Sequence, residues 1–178
     1  MDGQSKRSRM RELITRYFEA CNAGDSDRIA ACLTPEAVHY FPPGMYGGAF
    51  RGGRTIGDRW VAAHDQLGSR WALEKIAVDA EANTAVAEWS HYKTRQGKVL
   101  RGDEWYVFDA ESGLISEIRA YYASPQAPEL GRLELAEFDY AERGYSIEAP
   151  ADGRPSTDQA LSRRRASGCR PRSSRGSP

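Results

Sequence analysis

The sequence predicts an α+β domain in which three N-terminal helices cover one face of a curved, mainly antiparallel β-sheet. Apolar residues recur at helical spacing up to about residue 67, whereas the stretch from there to about residue 123 is rich in β-branched and aromatic residues. Short turn sequences join these later segments. Because the helices largely precede the strands instead of alternating with them, the order favours an α+β fold.

Three helices are predicted. The clearest spans residues 8–23, where apolar side chains follow the i, i+3, i+4, i+7 spacing. These side chains are Met10, Leu13, Ile14, Tyr17, Phe18 and Cys21. A short second helix starts at Asp25 or Ser26, either of which can cap it, and we expect Pro35 to end it. The third helix covers about residues 55–67.

The strands are predicted from residue 37 onward. A short strand, Ala37–Phe41, is stopped by the Pro-Pro-Gly sequence that follows it. After the third helix come four strands with tight turns between them, the pattern of an antiparallel meander. They cover residues 71–78, 84–94, 100–109 and 114–123.

A glycine-rich loop lies between residues 42 and 53. It lacks the GxxxxGK[ST] pattern, and no helix follows a buried strand in the way that a phosphate-binding loop requires. Two interpretations stay open: a flexible lid or rim over a pocket, and an ordinary surface loop.

Charge and composition exclude several classes of function. The net charge is zero, but residues 151–178 carry seven arginines against two aspartates, which leaves residues 1–150 with a net charge of −5. An acidic body disfavours nucleic acid as a partner. The tail, residues 150–178, has few large apolar residues and is expected to be disordered. No apolar run is long enough to span a membrane, and the three cysteines lack metal spacing, so we expect a cytoplasmic protein with reduced thiols.

Two segments carry a resemblance to a known superfamily. ACNAGDSDRIAACLTPEAVHYFPPG and EWYVFDAESGLISEIRAYYASP resemble the opening and the closing hairpin of nuclear-transport-factor-2-like proteins, which include ketosteroid isomerases, scytalone dehydratase and SnoaL-like polyketide cyclases. The resemblance implies a cone-shaped α+β barrel over residues 1–125. Residues 126–149 then form an extension that packs on its own domain or on a partner subunit.

Adjacent acids open the strand at residues 100–109. Side chains alternate faces along a strand, so Asp103 and Glu104 point in opposite directions. The resemblance implies that Glu104 faces the interior with Tyr106 and Phe108, at a position where ketosteroid isomerases carry a protonated acid that donates to an oxyanion. The alternative is that Asp103 turns inward and Glu104 faces solvent.

Histidines are the candidates for a general base. His39 shares a face with Phe41 at the position of the family's first-strand base, where this sequence has no carboxylate. It is equally compatible with a histidine satisfied by a backbone carbonyl. His91 resembles the histidine of scytalone dehydratase only if Trp89 also faces inward, whereas the opposite parity would direct Glu88 inward.

Other side chains complete the predicted site. Trp60 and His64 on the third helix are expected to point into the cone, and Tyr122 belongs to the terminal aromatic pair of the last strand. Tyr17 and Trp71 are interpreted as plain core residues. The three histidines come from three elements, but their spacing does not favour a metal site, and no cofactor is expected.

These observations predict a cofactor-independent lyase or isomerase that acts on a small hydrophobic molecule. His39 or His91 would remove a proton from carbon, while Glu104 and Tyr106 would hydrogen-bond the developing oxyanion or the leaving group. The alternatives are a SnoaL-like cyclase or hydrolase and a non-catalytic module for ligand binding or dimerisation. A homodimer or higher homo-oligomer is expected.

Overall fold

The computed structural model describes residues 3–122, 135–139 and 141–143. Within this part of the chain, three helices and six strands follow one another. They are α1 (Gly3–Ala23), α2 (Ser26–Ala30), β1 (Leu33–Tyr40), β2 (Phe50–Arg51), α3 (Gly53–Leu67), β3 (Ser69–Asp79), β4 (Thr84–Lys93), β5 (Lys98–Phe108) and β6 (Ile115–Tyr122).

The six strands form a single sheet in the order β2-β1-β6-β5-β4-β3. All neighbouring pairs are antiparallel except β1 and β6, which run parallel. The sheet is not closed, since β2 and β3 lie at its two edges. The predicted α+β fold class and the four-strand meander, β3 to β6, are therefore confirmed, and β2 is a strand that the sequence did not predict.

The start of β1 corrects one prediction. We expected Pro35 to end the second helix, but α2 ends at Ala30, and Pro35 lies inside β1. The backbone N–H of Arg28 donates to the Asp25 carboxylate (3.0 Å), which caps this short helix at its N-terminus. Proline is tolerated in β1 because the β1–β6 register shifts between Leu33 and Val38, where ladder hydrogen bonds are interrupted.

The core lies between the helices and one face of the sheet. The apolar stripe predicted on α1 is buried as a whole, and α3 adds Ile56, Trp60 and Ala63. Residues of β1, β4, β5 and β6 complete the core from the sheet side. The interior is thus enclosed by α1, α3 and the concave face of the sheet.

Residues 135–138, here called the strap, pack on the loop and strands near β1. The backbone N–H of Ala136 donates to the Phe41 carbonyl (3.0 Å), and the Phe138 ring contacts Tyr40 with ring centroids 5.2 Å apart. The Arg119 guanidinium lies 5.5 Å from the Phe138 ring. The rest of the extension predicted over residues 126–149 is outside the described residues, apart from 139 and 141–143.

The chain divides into a compact unit of residues 1–138 and a second unit of residues 139–178. In the second unit, the backbone N–H of Arg143 donates to the Asp139 carbonyl (3.3 Å). The tail predicted to be disordered, residues 150–178, lies outside the described residues.

Candidate active site

The strand register determines which of the adjacent acids faces the interior. Glu104 is paired with Ala87 on β4 and Ala120 on β6, and all three are buried on the concave face. Asp103 is paired with Glu88, whose side chain is 57% exposed on the outer face. The structure therefore places Glu104 inward and both Asp103 and Glu88 outward.

Glu104 faces His39 across the interior. The Nε2 atom of His39 lies 3.3 Å from Oε1 of Glu104, and the histidine is fully buried. Its Nδ1 atom has no hydrogen-bond partner among the described residues, and the Nε2 contact is an ion-pair distance without hydrogen-bond alignment. The ring stacks on Phe41 (centroids 4.2 Å apart) and meets Trp60 edge-on (5.5 Å). A buried imidazole with a free nitrogen is rare in a structural role.

Tyr106 holds the other oxygen of Glu104. Its hydroxyl donates a short hydrogen bond to Oε2. Burial raises the pKa of Tyr106 well above its usual value, and the charge of Glu104 raises it further. Tyr106 is therefore a protonated donor, and Glu104 accepts from it.

Tyr17 and Trp60 border the same carboxylate from the helices. The Trp60 indole N–H donates to the Tyr17 hydroxyl (2.7 Å), and burial raises the pKa of Tyr17. A cavity of about 10 Å³, roughly the space that one water molecule needs, lies beside Glu104. Its lining consists of Tyr17, Phe18, Cys21, Trp60, Trp71 and Glu104. Tyr17 and Trp71 were expected to be core residues, because their spacing along the helix and the strand is also that of core residues.

Aromatic side chains fill the remaining interior near β1, β4 and β6. Trp89 and Tyr122 meet edge-on, with ring centroids 5.3 Å apart, and the buried indole N–H of Trp89 has no hydrogen-bond partner among the described residues. Tyr46, in the loop of residues 42–49, packs on Phe41 (4.8 Å) and Trp60 (5.8 Å). Tyr46 was not evident from the sequence, because a loop position carries no periodicity that would reveal its direction.

His91 lies on the concave face but not beside an acid. It is four residues along β4 from Ala87, the residue paired with Glu104, which corresponds to about 13 Å. Its Nε2 atom is 2.8 Å from the Ser69 hydroxyl, and its ring stacks on Trp71 (4.3 Å). Burial and, to a smaller extent, Lys93 lower the pKa of His91 to about 4. The structure meets the condition set for His91, because Trp89 shares its inward face, but the described neighbours of His91 are Ser69 and Trp71 and not an acid.

Two further residues predicted to bind substrate lie elsewhere. The His64 ring is against Gly24, and its Nδ1 atom is 2.9 Å from the Asp65 carboxylate, so it does not point into the cone as predicted. Phe108 is buried at the far end of β5, where it lines a groove with Met10 and Leu13.

Two larger depressions of the described surface do not include His39 or Glu104 in their lining. One groove, of about 440 Å³, lies between α1 and the β5–β6 turn. Another, of about 670 Å³, lies along β3 to β6 beside Glu88 and Asp103, and Trp89 and Tyr122 also line it. His39 borders neither of them. Within the described ranges, no three His, Cys, Asp or Glu side chains are grouped so that they could hold a metal ion. Nor does this part of the chain contain a helix that is long and apolar enough to cross a membrane.

Helices packed on a curved, open sheet are the architecture implied by the resemblance to nuclear-transport-factor-2-like proteins, and comparison with known proteins confirms that resemblance. Residues 14–118 match the SnoaL-like domain family. Since the match covers more than half of the chain, this protein belongs to the SnoaL-like family.

Three relatives illustrate the similarity. A crystal structure of a protein of unknown function with a cystatin-like fold from Methylobium petroleophilum PM1 is 53% identical, covers 84% of this chain and 97% of that chain, and has a TM-score of 0.79. An uncharacterised protein of Mycobacterium tuberculosis is 29% identical over 124 residues, 66% of this chain and 92% of its own length. An NTF2-like protein from Mesorhizobium loti shares the fold, with 21% identity, coverage of 67% of this chain and 94% of that chain, and a TM-score of 0.56.

Proposed function

We propose that this protein is a cofactor-independent enzyme that transfers protons at carbon on a small hydrophobic molecule, as an isomerase or a lyase. The observation that supports this function is the buried pair of His39 and Glu104, with Nε2 and Oε1 3.3 Å apart. Burying an acid and an imidazole in an apolar interior is unfavourable for folding, and buried titratable groups of this kind cluster at active sites.

His39 is the proposed base. Its Nδ1 atom has no partner among the described residues, so it is available to take a proton from a carbon acid. The resulting imidazolium would be stabilised by Glu104 at the opposite nitrogen, in the way that the acid of a catalytic triad supports its histidine. The same Nδ1–H can then return the proton to another carbon, which completes an isomerisation.

Glu104 takes a different role here from the one that the resemblance implied. Glu104 accepts from Tyr106 at Oε2 and has His39 beside Oε1. It is therefore proposed as a positioning residue for His39 instead of a donor to an oxyanion. Tyr106 in turn fixes the carboxylate, so the three side chains act as one chain of contacts.

The test uses cyclohex-3-en-1-one, whose C2 proton must leave and whose C4 must be protonated to give the conjugated cyclohex-2-en-1-one. Product formation is followed by its ultraviolet absorbance, and exchange of the α-protons of cyclohexanone in D₂O is followed by NMR. We expect His39→Ala to lower kcat/KM by roughly 100-fold or more, the range of a general base. Glu104→Gln should lower kcat, since it leaves the imidazolium without its counter-charge.

Asp103→Asn is the matched control, because it removes the neighbouring carboxylate on the outer face of the same strand. We expect it to leave the rate unchanged. Activity within twofold of the unmodified protein in both the His39 and the Glu104 variants would contradict the proposal, as would the absence of both isomerisation and exchange in the unmodified protein.

A second candidate, hydration or hydrolysis, is favoured by the cavity of about 10 Å³ beside Glu104, which has room for one water molecule. In that case Glu104 would activate the water. Reaction in H₂¹⁸O separates the two functions when the label is measured in a hydroxyl or carboxyl group that the substrate lacked, because isomerisation adds no oxygen and a ketone oxygen exchanges with water without an enzyme.

A further inference from the structure

Tyr46 comes from a loop, yet its ring is partly buried against the core and its hydroxyl oxygen is fully buried. Its ring packs on Phe41, Phe50 and Trp60, with centroids 4.8, 5.6 and 5.8 Å away. Phe41 and Trp60 also contact His39. Tyr46 therefore belongs to the same aromatic enclosure as the proposed base.

The hydroxyl of Tyr46 lacks a hydrogen-bond partner among the described residues, although it is fully buried. Burial raises its pKa, the interaction with the Tyr122 hydroxyl lowers it, and the charge of Glu104 raises it to a smaller extent. Tyr122 is close enough for the two hydroxyls to influence each other's pKa, but they are not in hydrogen-bond geometry. A buried hydroxyl without a partner costs free energy that a bound polar group can offset.

The backbone at Tyr46 is also unusual. Its φ is +53°, in the left-handed region that tyrosine rarely adopts. Asn83, at φ +54°, is the kind of residue that tolerates this region in a turn. Unfavourable backbone conformations of this kind concentrate at ligand-binding positions. Phe would fill the same space without a buried hydroxyl. Packing alone therefore does not explain why this position carries a tyrosine.

We infer that the Tyr46 hydroxyl is a ligand-binding group that donates a hydrogen bond to an oxygen of the bound molecule, facing His39 and Glu104. The ligand class is a compact apolar ring that carries one hydroxyl or carbonyl oxygen. The inference rests on the proposed function for the reaction. In that reaction Tyr46, and not Glu104, donates a hydrogen bond to the developing oxyanion. Binding itself does not depend on the reaction.

The test measures binding and not turnover, so that it can fail separately from the proposed function. The probes are pairs of equal shape, one with an oxygen and one without: cyclohexanone and methylenecyclohexane, cyclohexanol and methylcyclohexane, phenol and toluene. Kd is measured by ligand-detected NMR on the full chain, for the unmodified protein and for Tyr46→Phe. We expect the variant to bind the oxygenated probes roughly 5- to 30-fold more weakly, which is what one lost hydrogen bond gives. Its affinity for the hydrocarbons should stay unchanged.

Tyr92→Phe is the control, since Tyr92 is an exposed tyrosine of β4. It should bind all six probes as the unmodified protein does. Equal affinity of the Tyr46→Phe protein for the oxygenated probes would overturn the inference, and so would failure of the unmodified protein to prefer them over the hydrocarbons. An equal loss for both kinds of probe would assign Tyr46 a packing role only. If the unmodified protein shows no turnover but still prefers the oxygenated probes, that result contradicts the proposed function alone.

Discussion

Buried polar side chains differ in how fully their hydrogen-bonding groups are satisfied. His91 has the Ser69 hydroxyl at one nitrogen and the Trp71 ring on its face. His39 is just as buried, but it faces a carboxylate at one nitrogen and nothing among the described residues at the other. This contrast separates a histidine that serves the core from one that is available for chemistry.

The lowered pKa of His91 makes the stability of the protein depend on pH. Its pKa is about 4 in the folded state and near 6.5 when unfolded, so between these values the unfolded state binds more protons. The contribution of His91 to the free energy of unfolding is complete above about pH 6.5. It declines as the pH falls towards 4, by at most about 3 kcal/mol.

His91→Gln removes this titration. We expect the free energy of unfolding of the variant, measured with urea between pH 7 and 4.5, to fall less steeply with decreasing pH than that of the unmodified protein. Identical slopes for the two proteins would show that His91 does not carry the effect.

The alternation of side chains along a strand predicted that one of the two adjacent acids faces the interior, but not that this acid is Glu104. The sequence states that Asp103 and Glu104 face opposite ways, and the resemblance selected Glu104, the orientation that the structure has. Neither source could show that His91 is satisfied by Ser69, because these residues are distant in sequence. Tyr46 escaped detection because loop residues lack periodicity.

Among the elements, the loop of residues 42–49 is held by the strap. Glu137 of the strap accepts from the Ala49 backbone N–H (3.2 Å) and from the Arg51 guanidinium (2.9 Å). Its hydrogen bond with Arg51, followed by that with Ala49, lowers the pKa of Glu137. Because that pKa is depressed in the folded state, the attachment is present at neutral pH and is lost as the pH falls through it.

Removing this carboxylate should loosen the loop that carries Tyr46. We expect Glu137→Ala to speed amide hydrogen exchange at Ala49 several-fold at pH 7, while exchange in β5 stays the same. Glu81→Ala, at an exposed glutamate in the β3–β4 turn, is the control and should change neither. Unaltered exchange at Ala49 in the Glu137 variant would show that the strap does not restrain the loop.

Over the whole molecule, the parallel pairing of β1 with β6 connects the N-terminal elements to the meander. Ile118 lies at this junction: it pairs with His39 on one side and Tyr106 on the other, and it is fully buried. The extra strand β2 was not evident from the sequence, because two residues are too few to show a pattern.

Shortening the side chain of Ile118 should destabilise the entire unit of residues 1–138. We expect Ile118→Ala to lower the free energy of unfolding by about 2–5 kcal/mol, the range for a large buried aliphatic side chain. Val99→Ala, at a position that is 48% exposed on the neighbouring meander, should cost about 1 kcal/mol or less. Urea denaturation gives both values, and similar losses for the two variants would contradict this assignment of the core.

The small spare volume beside Glu104 has a kinetic consequence. A cavity of about 10 Å³ cannot admit a six-membered ring, so a ligand must wait for Tyr46 or its neighbours to move. Association then has two steps, and its observed rate should rise with ligand concentration only until it reaches the rate of opening. The selectivity for ligands would then depend on the rate of this opening as well as on ligand shape.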